Sequence, residues 1–110
     1  MKIHESADTL TVSNIKELAA GNAESFREEV GAALPTGLKA IEIDLSETDF
    51  VDSCGLGALI SLYKSANNGH EPVAFRLLNP IPAVQQLFEL TRLHRIFEIV
   101  KTEGHVATHH

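Results

Sequence analysis

Asp52, Ser53 and Cys54 bring together a carboxylate, a hydroxyl and the only thiol of this 110-residue chain, and Gly55, Leu56 and Gly57 follow at once. They sit in FVDSCGLGALISLY, residues 50–63, where an apolar pattern of helical spacing begins and nothing basic intervenes. Three chemistries fit: a phosphorylation switch, a reactive thiol, or a plain helix cap. A helix starting here leaves its first amide N–H groups unpaired. Those amides and the helix dipole favour a phosphate, thiolate or carboxylate. Gly55 and Gly57 lack side chains that would block the close approach of a partner. Against this, Asp and Ser ahead of an apolar helix are ordinary N-cap residues. The motif alone leaves both readings open.

Other chemistry finds little support. A thiol phosphatase holds its phosphate with an arginine six positions after the cysteine, where this chain has Ile60, and Ser53 stands where a histidine is expected. A cysteine–histidine hydrolase could draw on His4, His70 or His94, but spacing does not establish proximity. No phosphate-cradling GxxxxGK loop is present. His105, His109 and His110 have no cysteine or clustered carboxylate beside them, so they read as incidental tail residues and not as metal ligands. The expectation is a binding protein with no catalysis, metal or cofactor.

The elements that position residues 52–57 follow from periodicity. Ile3 to Glu5 and Leu10 to Val12 form a hairpin around Ser6-Ala7-Asp8. Ala23, Phe26, Val30 and Ala33 recur at helical spacing from about Asn22 until Pro35 and Gly37. In IEIDL, Ile41, Ile43 and Leu45 alternate with Glu42 and Asp44, the pattern of a strand packed on one face and wet on the other. Leu56, Leu59, Ile60 and Tyr63 form the apolar stripe of a second helix, closed by Asn67-Asn68-Gly69. Val73 to Leu78 is a strand, and Asn79-Pro80 starts a third helix carrying Val84, Leu87, Phe88 and Thr91. Ile96 to Val100 is the last strand. The expected fold is α/β: a mixed sheet of four to five strands, an N-terminal hairpin, right-handed parallel crossovers, and helices mainly on one face. Residues 1–101 form one domain and 102–110 a loose tail.

A formal charge of −6 argues against nucleic acid, whose phosphates call for clustered Lys and Arg, and against an anionic membrane surface. One cysteine makes no internal disulfide. No secretory h-region or membrane-spanning apolar run is present, so the default location is the cytoplasm.

Four segments resemble the STAS domain family, the fold of bacterial anti-anti-sigma factors. IEIDLSETDFVDSCGLGALI is similar to that family's strand, loop and phosphosite helix, with its Asp-Ser-Ser/Thr-Gly-Leu core. Phe26 to Leu34 fits the preceding helix, VAFRLLNP the following strand, and FELTRLHRIFEIV the closing helix and strand. The resemblance implies that residues 52–57 contact a protein partner. That partner is an anti-sigma factor that is also a Ser/Thr kinase of the switch type. It phosphorylates the second hydroxyl residue of the core, and the added charge and bulk block binding. Asp52, Ser53, Gly55 and Leu56 match the core, but the phosphorylated position is Cys54. Ala19 stands where an acidic residue is common, and Arg92 where a glycine often ends the last helix. A left-handed non-glycine residue at position 92 costs on the order of 1 kcal/mol.

Three roles for Cys54 follow. It is a near-isosteric stand-in that keeps the domain unphosphorylated, or Ser53 replaces it as acceptor, or the helix N-terminus activates the thiol as a redox sensor. The rival function is a regulatory STAS subunit of a multi-protein assembly, a lipid-transport complex or a stressosome-type body, with a permanent partner. The oligomeric state is left open.

Overall fold

The computed structural model describes residues 1–69 and 71–102. Two antiparallel strands, β1 (Lys2–Ser6) and β2 (Thr9–Ser13), open the chain. A short β3 (Glu17–Leu18) leads into α1 (Ala23–Ala32), and β4 (Ala40–Asp44) follows. Then come β5 (Phe50–Val51), α2 (Ser53–Ala66), β6 (Ala74–Leu78), α3 (Pro82–Leu90), a 3-10 turn over Leu93–Arg95 and β7 (Glu98–Val100). The main sheet runs β1-β2-β4-β6-β7, parallel from β2 onward. This is the mixed five-stranded sheet expected from the pattern. β3 and β5 pair separately, parallel, as a two-residue ladder below the reach of periodicity.

Burial follows the period-two rule. Leu10, Val12, Ile41, Ile43, Phe75 and Leu77 are buried on the face that the helices cover. Thr11, Glu42 and Arg76 are cross-strand neighbours on the other face and stay half-exposed. There the Arg76 guanidinium bridges Glu42 at 3.1 Å and Glu98 at 3.4 Å. Behind α2 and α3, Phe97 packs edge-on to Tyr63 and Phe88 and tilted on Phe75, at centroid distances of 5.9, 6.3 and 5.0 Å.

Four local expectations need correction. Ser6 belongs to β1, and the hairpin turns on Ala7, at φ +52°, and Asp8. The third helix starts at Pro82 and not at Asn79-Pro80. Asn79 is left-handed, donates its N–H to Val100 O, and bonds Thr102 through its side chain, so this segment clamps the chain end. For the same reason Thr102 is not part of a loose tail; its N–H donates to Asn79 Oδ1 at 2.8 Å. The last strand starts at Glu98, because Ile96 closes the 3-10 turn with its N–H on Leu93 O. Residues 103–110, with His105, His109 and His110, lie outside the described residues, as does His70. Arg92 adopts φ +63°, ψ +17°, the left-handed geometry that a glycine would occupy without strain.

Candidate functional site: the head of α2

Asp52 organises the site. Its backbone is extended (φ −113°, ψ −173°), which places it as the N-cap of α2. Oδ1 accepts the N–H groups of Cys54 at 2.9 Å and Gly55 at 3.0 Å, and Oδ2 accepts the Ala20 N–H at 3.0 Å. One carboxylate therefore closes the helix and ties it to the loop before α1. Two of the amides that could have held a phosphate or thiolate are already used by this internal anion. The Gly55 N–H, with those of Ala20 and Cys54, holds the Asp52 carboxyl below the ordinary aspartate range, against a smaller opposing effect of burial.

A depressed folded pKa means that the unfolded chain binds the proton more tightly. Asp52 thus stabilises the fold fully above its unfolded pKa of about 4, and the contribution fades as pH falls through the lower folded value. Wild type and Asp52→Asn should differ clearly in urea midpoint at pH 7, and the gap should narrow as pH falls below about 4. An equal gap above and below that pH would show that the capping charge contributes nothing.

The six residues singled out by sequence part into two groups. Ser53, Cys54 and Gly57 are exposed and Asp52 is half-buried. Gly55 and Leu56 are buried, Leu56 at 9% exposure. Gly55 is small because β3 leaves no room: a Cβ there would overlap the Leu18 carbonyl oxygen and lie 2.7 Å from its carbon. A Cβ on Gly57 would meet nothing within 4 Å. The expectation that both glycines clear space for a partner is therefore corrected at Gly55, whose space is filled by the protein's own backbone. The predicted stripe shifts too: Leu59 and Leu62 are the deeply buried residues of α2, with Ile60 and Tyr63 only partly covered.

Cys54 and Gly57 open onto a groove of about 460 Å³ between α1 and α2, floored by Ala20, Ala23 and Ala58. Arg27 and Glu24 from α1 line the same groove and lie 4.0 Å apart. Nothing in the spacing of the sequence linked residue 27 to residue 54; helix packing does. Ala19 is buried and donates its N–H to Asn22 Oδ1 at 2.9 Å, so this position offers no charge beside the site. Phe50 is a residue that sequence reasoning passed over. It stands 53% exposed two positions before the cap. Its signal would have been the alternation of Phe50 with buried Val51. Among the described residues no group of three or more His, Cys, Asp or Glu could hold a metal ion, and no helix is long and apolar enough to cross a membrane.

A family model described as the STAS domain matches residues 1–107. A Thermotoga maritima protein whose assigned name is that of an anti-sigma factor antagonist is 31% identical over 96 residues, 86% of this chain and 83% of its own length. A crystal structure bearing the same kind of name, also from Thermotoga maritima, is similar at a TM-score of 0.81 and 28% identity, covering 97% of this chain and 91% of that one. The unphosphorylated form of the anti-sigma factor antagonist SpoIIAA shares the fold at a TM-score of 0.74 and 20% identity, covering 96% of this chain and 91% of that one. The phosphorylated form, from Bacillus, is similar at 0.62 and 19%, covering 97% and 96%.

Proposed function

Because the chain belongs to the STAS domain family, we propose that it is an anti-sigma factor antagonist that works by reversible protein–protein contact through the head of α2. Cys54 takes the phosphoacceptor's place and keeps it permanently able to bind. The observation that carries this reading is the rigid presentation of Ser53, Cys54 and Gly57. They are exposed on a helix end whose cap, Asp52, is held by three backbone N–H groups. The names of the relatives, anti-sigma factor antagonists, point the same way, toward an anti-sigma factor as the partner. A kinase that phosphorylates a hydroxyl does not treat a thiol alike, so the switch is locked in its binding form. The protein performs no chemistry of its own in this reading.

The test uses purified switch-kinase anti-sigma factors from the source organism with Mg-ATP. Wild type is expected to bind one of them and to keep its unmodified intact mass. Cys54→Ser is expected to gain one phosphate and then to dissociate, since a phosphate adds about −1.5 to −2 charges to the contact. Phosphate on Ser53 of the wild type would overturn the locked switch, and absence of binding would overturn the antagonist reading. The loss of the hydroxyl also favours a second reading, a fixed subunit of a larger assembly. That reading predicts a stable complex that releases no sigma factor.

A further inference from the structure

We infer that Phe50 is the aromatic anchor of the binding face and seats in an apolar pocket, rimmed by basic side chains, on the protein partner. The inference rests on the protein-contact reading above and extends it beyond residues 52–57. Four of the five phenylalanines, Phe26, Phe75, Phe88 and Phe97, are at most 3% exposed, whereas Phe50 is 53% exposed. Its strand holds it firmly. Phe50 pairs in register with Glu17, the Asp49 N–H donates to Lys16 O at 3.0 Å, and the Asp52 N–H donates to Leu18 O at 3.2 Å. An aromatic ring carried on a pinned backbone offers a large apolar contact with only two side-chain torsions to order, which is why such residues dominate interface energetics.

Position and charge choose the partner. Along the extended segment Val51 and its neighbour Leu18 face the core, so Phe50 and Glu17 face outward. Asp52 lies two residues on, on the same side as Phe50, and leads directly to the exposed Ser53 and Cys54. The anchor and the head of α2 thus form one continuous surface. Glu17 is exposed beside the ring, while Lys16 is paired with Asp49 at 3.5 Å. On a chain of net charge −6, an exposed carboxylate beside an aromatic ring fits a partner that offers Arg or Lys around an apolar pocket. The competing explanation is that Phe50 serves β5 only through its strand propensity. Threonine keeps that propensity and removes the ring.

The experiment is a calorimetric titration of the purified switch-kinase anti-sigma factors of the source organism with wild type, Phe50→Thr and Gly57→Arg, each with its thermal midpoint. Phe50→Thr is expected to weaken binding at least tenfold with an unchanged midpoint, and Glu17→Gln to flatten the salt dependence. If Gly57→Arg abolishes binding and Phe50→Thr leaves it intact, the anchor is wrong and the contact reading stands. If neither variant changes binding, or wild type binds none of these proteins, both fail. Hydroxyl-radical footprinting of the wild-type complex keeps the test decisive should Phe50→Thr not fold. Protection of Phe50 supports the anchor, and unchanged oxidation sinks it.

Discussion

Gly55→Ala is expected to destabilise the protein by about 3 kcal/mol or more, the upper end of what overpacking costs. The added methyl would collide with backbone: with the Leu18 carbonyl oxygen, with its carbon at 2.7 Å, and with Leu18 Cγ at 3.1 Å. A flexible side chain could rotate away, but a carbonyl in a ladder cannot. Leu18 pairs with Val51, and its oxygen already accepts the Asp52 N–H at 3.2 Å. Moving β3 outward would break that bond and the Ala20 contact to the Asp52 carboxylate, so the cap would fail with the packing. Gly57→Ala, two residues along the same helix, is the control. It meets open space, and alanine replaces glycine in a helix interior with a gain of about 0.5–1 kcal/mol. Urea unfolding followed by circular dichroism reads both. Midpoints that shift the same way would mean that α2 does not sit against β3 as described.

If the proposed function holds, Gly57→Arg is expected to reduce affinity for the anti-sigma factor at least 100-fold, which is about 2.7 kcal/mol, while leaving the thermal midpoint equal or higher. Arginine is a better helix former than glycine, and nothing lies within 4 Å of the site of substitution. The long cationic chain would lie over the groove that Gly57 shares with Cys54, Ala20 and Ala23. Leu56→Asp is not an equivalent probe. Leu56 is buried, and an unpaired carboxylate there would destabilise the fold and remove binding indirectly. Full-strength binding by Gly57→Arg, measured by calorimetry, would move the interface away from the head of α2.

The sequence by itself determined the three helices, the five strands of the main sheet and their order, because periodicity is local. The alternation in IEIDL reports which side of β4 is buried, and Ala23, Phe26 and Val30 report the inward face of α1. The Asp-Ser-Cys-Gly-Leu run located the helix cap that Asp52 forms. The left-handed geometry at Arg92 agrees with what the family resemblance implied, a position where a glycine often ends the last helix. What only the tertiary structure decided is the role of each residue within the run. Gly55 and Gly57 are chemically identical and two positions apart. One faces the Leu18 carbonyl, 37 positions back in the chain, and the other faces open space. The β3–β5 ladder that makes the difference spans two residues per strand, too few for any period to show. The exposure of Phe50 and the arrival of Arg27 at the groove follow from the same packing. A sequence pattern records whether a side chain is buried along its own element; it does not record which distant backbone occupies the space beside it.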